Sequence, residues 1–337
     1  MITDVCIFGA GPAAVATAIR LADRGLAVTI LERPLRAPAW VGETFAGGIR
    51  APLETLGLWD EFCAAHHVPS YEIRSAWGTP ERVASSTLVT PYGHAWHVDR
   101  ERFNRDLVRA ATARGCALRT YRSLARVARC AGGWDVHIDG DVLLHARFLV
   151  DATGRCRALG RRLGARRRHF DTLVAVVRRV PRHPDPAYGH AIVVETCSAG
   201  WWYAAPTPNG HVLAFLTDHD LLDAGQPRGD AHVVAADSAV FDGDAPAGWL
   251  AVGDAFASHD PLFGTGVIHA LGDGIRAADA IAAHAATGDR GPLDALHDTR
   301  LTEFERYLEG LRHWYTRERA WPASRFWSRR MAPPGLS

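Results

Sequence analysis

Hydrophobic and polar positions alternate with two periods along this chain. Residues 4–9 form an apolar, β-prone run that ends in a glycine turn. A helix-compatible stretch follows to Arg24, Gly25 stops it, and Leu26 to Leu31 reads as a second strand ending at Glu32. Further short strand patterns cover Arg147 to Val150 and Trp249 to Val252. Alternation over Leu173 to Val180, Ala191 to Thr196 and His211 to Thr217 predicts strands of one sheet. A long apolar helix pattern runs from Val267 to about Ala286. Residues 291–320 set Leu293, Leu296, Leu301, Phe304, Leu308 and Leu311 on one face of another helix. Strand, turn, helix and strand in that order predict an α/β fold. There is no internal repeat.

The first turn carries chemistry. Gly9-Ala10-Gly11-Pro12-Ala13-Ala14 has the G-x-G-x-x-A form, and Glu32 follows the first glycine by 23 residues. Gly9 permits a tight turn, and Gly11 lets backbone approach a pyrophosphate at the helix N-terminus. Pro12 and Ala13 open that helix, Ala14 keeps it close to the strand, and Glu32, followed by Arg33, reaches an adenosine ribose. In the context of strand, helix and terminal acid, this predicts a dinucleotide site. A second loop follows Trp249-Leu250-Ala251-Val252: Gly253-Asp254-Ala255, then Asp260-Pro261-Leu262-Phe263-Gly264-Thr265-Gly266. An acid at a strand end, a Pro/Gly loop and a helix start suit a ribityl hydroxyl and a flavin carbonyl. The Asp254 carboxylate and the backbone of Gly264, Thr265 and Gly266 are the predicted contacts.

Composition narrows the chemistry. The 337 residues are 47% hydrophobic and 22% charged, with a net charge of +1, which excludes a disordered chain and a global nucleic-acid footprint. No apolar run reaches membrane-spanning length, so no membrane partner is expected. Six scattered cysteines without a C-x-x-C pair and a strand pattern from Val5 predict a reducing, cytoplasmic setting without a signal peptide. Seventeen histidines show no H-x-x-x-H or H-E-x-x-H spacing, so no metal site is predicted. All 38 basic residues are arginine. That excludes every mechanism built on a reactive lysine ammonium, because a guanidinium stays protonated. The run Arg161, Arg162, Arg166, Arg167 and Arg168 reads chiefly as a solvated face, with attraction of an acidic peptide or reduced flavin as the alternative.

These motifs together resemble the FAD-dependent monooxygenases of the p-hydroxybenzoate-hydroxylase fold. Gly253-Asp254 with its P-x-x-G-x-G stretch looks like their G-D motif. Asp151-Ala152-Thr153-Gly154-Arg155 looks like the D-A-T-G segment, and Asp99-Arg100-Glu101-Arg102-Phe103 resembles the segment whose arginine, here Arg100, lies near the pyrophosphate. Gly42-Glu43-Thr44 resembles the flavin-side segment of the tryptophan-halogenase-like branch. Ala76-Trp77-Gly78 with Pro91 to His97 resembles flavoproteins that mature tryptophan-derived quinone cofactors. Gly200-Trp201-Trp202-Tyr203-Ala204-Ala205-Pro206 is an imperfect W-x-W-x-I-P element.

The resemblance implies a Rossmann-like FAD-binding domain (1–71, 98–166 and 246–290), an inserted β-sheet substrate domain (72–97 and 167–245) and a C-terminal helical segment (291–337). With one nucleotide fingerprint present, FAD would be reduced by NAD(P)H bound transiently or by a partner flavin reductase, and the halogenase-like resemblance favours the second route. The implied reaction is hydroxylation of an electron-rich aromatic ring, Trp or Tyr, free or peptide-bound, through a flavin C4a-hydroperoxide. His94, His97 and His259 are the candidate acid/base residues and Trp202 a candidate substrate wall, each alternatively a core residue. A flavin oxidase or dehydrogenase, and an FAD-bearing factor that binds a precursor peptide, are the alternatives. The segment Asp218 to Ala247 is short for the family, which implies a pocket open on one side. The tail aromatics Trp314, Trp321, Phe326 and Trp327 pack over the FAD domain or line a partner groove. Halogenation is disfavoured. Those enzymes use a lysine, absent here, where Arg74 is a poor replacement. They also carry Glu and Ser in D-P-L-E-S-T-G, where this chain has Phe263 and Gly264.

Overall fold

The computed structural model describes residues 2–34, 43–140, 142–181, 190–208, 210–222, 230–244 and 246–331. Five parallel strands form the first sheet's centre, in the order Ala117–Thr120, Val28–Glu32, Ile2–Phe8, Val142–Asp151 and Trp249–Ala251. The ten-residue strand Val142–Asp151 shares one edge between two neighbours. Its N-terminal part pairs antiparallel with Gly133–Ile138, and Leu149, Val150 and Asp151 pair with Trp249–Ala251. Leu124–Cys130 extends the meander. Because the central strands run parallel, Phe8, Glu32, Asp151 and Ala251 all end at one edge, where α/β sheets hold ligands.

Small residues set the helices above this edge. Pro12–Asp23 packs on Gly266–Thr287 so closely that a Cβ on Gly274 would lie under 3.0 Å from the Ala13 carbonyl and from Ala16. Thr17 Oγ1 stands 2.8 Å from Ala13 O and 3.2 Å from Gly274 O. Ala14, Ile19, Ile7, Ile30, Val150 and Leu271 are fully buried in the core below. Each large aliphatic side chain there contributes about 1.5–3 kcal/mol. The close approach brings both glycine loops to the same sheet edge.

The second sheet has seven strands in the order His232–Ala235, Leu173–Val180, Gly210–Asp218, Gly200–Thr207, Ile192–Cys197, Glu72–Ala76 and Val83–Ser86. All pairs are antiparallel except Ile192–Cys197 with Glu72–Ala76. The three alternating segments of the sequence are strands here, shifted by at most a residue at either end. One face carries Leu173, Ala175, Val177, Trp201, Val212, Ala214 and Leu216. It is covered by Leu311 and Tyr315 of the helix Gly291–Tyr315 and by Phe326 and Trp327 of the helix Arg325–Met331.

Three expectations change. The tail aromatics Phe326 and Trp327 pack on the second sheet, not over the nucleotide-binding core, while Trp314 is 42% exposed. The helix expected over 291–320 ends at Tyr315. The buried Glu318 then accepts the N–H groups of Gly78 (2.9 Å) and Ala320 (2.7 Å) and the Thr196 hydroxyl (2.7 Å), fixing the turn against the sheet. The arginine run is not uniformly solvated either. Arg166–His169 is a strand, so Arg167 turns inward to Ala239 O and Ser258 Oγ while Arg166 and Arg168 face out. Burial lowers the Arg167 pKa to about 10.

Candidate functional site

The first loop is shaped by contacts that only glycine permits. Gly9 has φ +100°, its N–H donates to Leu31 O at 2.8 Å, and a Cβ there would fall under 3.0 Å from the Ala152 carbonyl. Gly11 caps the helix with Pro12 and Ala13 in its first turn, and a Cβ on Gly11 would meet nothing within 4 Å. One glycine is therefore required by the protein's own backbone, and the other leaves open space at a helix N-terminus. Ala13 abuts Gly253, and Ala14 is buried. The Glu32 carboxylate is half-buried, which raises its pKa, while a hydrogen bond from the Ala10 N–H opposes that shift. Arg33 is exposed beside it. The D-A-T-G acid has a different task. Asp151 Oδ1 accepts Thr153 N–H (3.0 Å) and Oγ1–H (2.6 Å), Oδ2 accepts Gly160 N–H (2.7 Å), and Ala152 N–H donates to Phe8 O (2.8 Å). Both Asp151 oxygens hold the turn on which Gly9 rests.

Asp254 lies at the end of the last parallel strand and pairs with Arg155 Nε at 3.4 Å, with 39% of its side chain open. Arg155 also donates to Asp237 O (2.7 Å), Asp237 Oδ1 (3.0 Å) and His259 O (2.8 Å), tying this loop to the strand beyond. Gly253 N–H donates to Asp273 Oδ2 at 2.8 Å. The Pro261–Phe263 turn is capped by Asp260 Oδ1 on Leu262 N–H (2.8 Å). Gly264 turns the chain left-handed at φ +62°, Thr265 is the next N-cap, and Gly266 opens the long helix. Neither Gly264 nor Gly266 would bring a Cβ within 4 Å of anything. The Arg100 guanidinium is buried, which lowers its pKa to about 10 against the opposing charges of Asp254 and Glu43. It lies 5.6 Å from the Phe45 ring.

Between the two sheets, Gly42 lies outside the described residues, and Glu43 and Thr44 face the second sheet. Glu43 Oε1 accepts from Arg179 at 2.9 Å, and Oε2 is buried with no hydrogen-bond partner among the described residues. Burial raises the Glu43 pKa, and Arg179 opposes the shift. The Tyr203 hydroxyl donates to Thr44 Oγ1 at 3.0 Å. Thr44 Oγ1 is 3.1 Å from His97 Nδ1, and His97 Nε2 is 3.2 Å from His190 O. A carbonyl only accepts, so Nε2 carries the proton, Nδ1 accepts from Thr44, and Thr44 accepts from Tyr203. Burial lowers the His97 pKa and pushes the Tyr203 phenol up to about 12, so the chain is neutral.

The four residues expected to do chemistry part company. His97 uses both ring nitrogens in this chain. His259 is held neutral: burial first, then His269 and two arginines, lower its pKa to about 3, and its ring stacks on His269 at 4.8 Å. His94 lies against Trp96 (4.4 Å) and Tyr71 (5.2 Å), and its buried Nε2 has no partner among the described residues. Trp202 points to the face opposite Tyr203, is 44% exposed and leans on Phe215 at 4.7 Å. Strand alternation places Trp202 on that outer face once Tyr203 is inward. Arg155, Arg179, Tyr203 and Asp260 were not among the predicted site residues. Arg155, Tyr203 and Asp260 sat inside quoted motifs, but Arg179 carried no signal. Of the short segment Asp218 to Ala247, residues 223–229 and 245 lie outside the described residues.

The residues present fit a dinucleotide-linked flavin. The gap at Gly11, the gaps at Gly264 and Gly266 and the open side of Asp254 border one sheet edge, and Arg100 feels the charges of both Asp254 and Glu43, whose second oxygen has no partner among the described residues. These features define a nucleotide-binding α/β flavoprotein. The family described as FAD binding domain matches residues 2–211, and the chain belongs to it as an FAD-dependent oxidoreductase. The LodB protein of Marinomonas mediterranea, which carries the name of an FAD-dependent oxidoreductase, is 26% identical over 98% of this chain and 97% of its own. The flavin-dependent halogenase CmlS superposes with a TM-score of 0.84 at 23% identity, covering 99% of this chain and 68% of that one. The peptidyl tryptophan dihydroxylase QhpG, essential for tryptophylquinone cofactor biogenesis, superposes with a TM-score of 0.79 at 23% identity, covering 100% and 80%. No helix among the described residues is long and apolar enough to cross a membrane.

Proposed function

We propose that this protein is an FAD-dependent monooxygenase that hydroxylates an electron-rich aromatic ring, a tryptophan or tyrosine, free or within a peptide. The observation that carries this reading over halogenation is the absence of lysine from the whole chain, with Phe263 in the place of the halogenases' glutamate. The likeness to a peptidyl tryptophan dihydroxylase supports the aromatic substrate. The segments 1–71, 98–166 and 246–290 hold the cofactor, and 72–97 with 167–245 holds the substrate.

FAD, when bound, supplies oxygen activation. The chain's own residues bind, orient and handle protons. Gly11 and the helix behind it take the pyrophosphate, Glu32 the adenosine ribose, Asp254 the ribityl chain, and the backbone of Gly264 to Gly266 the ring carbonyl. His94, whose Nε2 is buried and unpartnered, is the base for a phenol or indole proton; His97 and His259 are committed or neutral. Reducing equivalents come from NAD(P)H or from a partner flavin reductase.

The test is product mass from reduced, FAD-loaded protein with oxygen, substrate and excess chloride or bromide. A gain of oxygen without halogen is the expected result. Stoichiometric, regiospecific halogenation overturns it. A loss of two hydrogens makes the protein a dehydrogenase, and an unchanged substrate makes it a binding factor.

A further inference from the structure

We propose that Cys130, Asp135 and His145 form a site for a divalent cation of the zinc class on the outer face of the meander Leu124–Cys130, Gly133–Ile138 and Val142–Asp151. Each strand contributes one ligand. Asp135 and His145 stand directly opposite in the antiparallel register, and Cys130 ends the strand that turns back at Gly133. Cys130 Sγ lies 3.5 Å from His145 Nδ1, and Asp135 Oδ1 lies 3.1 Å from the same nitrogen. All three ligand atoms fall within 4.8 Å of one another.

The two distances to His145 Nδ1 are close to the edges of a coordination tetrahedron. With Zn–S of about 2.3 Å and Zn–N or Zn–O of about 2.0–2.1 Å, adjacent ligands stand about 3.3–3.6 Å apart. His145 therefore needs little movement toward either partner, and Cys130 and Asp135 start within 4.8 Å of each other. Pairing within the sheet holds the backbone of all three, so the strands preorganise the set. Charge also balances, because a thiolate and a carboxylate neutralise a dication and the imidazole stays neutral. On binding, the Cys130 thiol proton leaves to solvent, His145 carries its proton on Nε2, and Nδ1 gives its lone pair to the metal. Without an ion, burial and the Asp135 carboxylate raise the Cys130 thiol pKa, with the Gly133 N–H opposing the shift, so the dication itself must stabilise the thiolate. The fourth position is open to water.

The site is separate from flavin chemistry. His145 is six residues before Asp151 on one strand, which places it about 20 Å from the cofactor edge at about 3.3 Å per residue. Its effect would be to clamp the meander, and it can be tested without turnover.

The experiment titrates the full chain, FAD-loaded and stripped of metal by a chelator, with Co²⁺ and then Zn²⁺. We expect one ion per chain, a thiolate-to-cobalt charge-transfer band, release of one proton and protection of Cys130 from alkylation. Cys130→Ser should abolish the band, while Asp135→Asn and His145→Gln should weaken binding at least about tenfold. Cys156→Ser, at an exposed thiol elsewhere, should leave the titration unchanged. Absence of the band in wild type, or an unaltered titration in Cys130→Ser, overturns the site. Native circular dichroism and unchanged FAD content in every variant separate loss of metal from loss of fold.

Discussion

The Tyr203 hydroxyl donates to Thr44 Oγ1 across 3.0 Å, joining the second sheet to the segment that follows Glu43. Thr44 passes the direction of that bond on to His97, so three side chains from three elements share one ordered network. The bond ties the second sheet to the part of the chain that carries Glu43 and Thr44.

Removing it should loosen the two parts without unfolding either. Tyr203→Phe should cost about 1–2 kcal/mol, the value of one buried hydrogen bond. FAD binding should persist, while the share of consumed oxygen that appears in product falls and hydrogen peroxide rises. Chemical denaturation and an oxygen-to-product balance check both.

Gly9 and Gly11 should separate folding from cofactor binding. Gly9→Ala places a Cβ against Ala152 O at a positive φ and should destabilise by about 3 kcal/mol or more. A Cβ at Gly11 meets nothing within 4 Å, so Gly11→Val should keep its thermal stability as apoprotein, yet lose FAD uptake. Thermal melts and flavin absorbance after reconstitution distinguish the two.

Two buried groups should give opposite slopes of stability against pH. Burial raises the Asp260 pKa to about 6, where Oδ2 accepts from Tyr315 at 2.7 Å. The folded state then binds this proton more tightly than the unfolded chain, so the group's contribution is full below about pH 4 and falls as pH rises to about 6. The loss is up to about 3 kcal/mol. Asp260→Asn should remove that slope. His259, lowered to about 3, acts with the other sign: its contribution is full above about pH 6.5 and is lost as pH falls through 3. His259→Gln should flatten that limb and leave the pH dependence of turnover between pH 6.5 and 8 unchanged. Urea titrations at stepped pH measure each difference from wild type.

Arg179 should tune Glu43. Its guanidinium is 64% exposed, so Arg179→Ala should fold normally. Without that cation the burial of Glu43 is opposed only by the more distant charge of Arg100, and its carboxyl should hold a proton to higher pH. The acidic limb of the turnover profile should move upward; an unmoved limb would show that Glu43 does not titrate in the reaction.

What the sequence determined was local. The strand, glycine turn, helix and acid from Val5 to Glu32 are held by neighbours within a few residues, so Gly9, Gly11 and Glu32 were legible as a unit, and so was the loop from Pro261 to Gly266. The missing lysine is a fact of composition that no fold can alter. What only the tertiary structure decided depends on which faces meet. Alternation along Gly200–Thr207 separates Trp202 from Tyr203 but does not say which one turns inward, and the helices Gly291–Tyr315 and Arg325–Met331 settle that by covering Trp201. The D-A-T-G likeness gave Asp151 no task; the fold does, by setting Thr153 and Gly160 on its two oxygens. The pKa values of His259 and Asp260 come from burial, which spacing does not report. Cys130, Asp135 and His145 match no metal spacing along the chain, and strand register alone brings their side chains to one point.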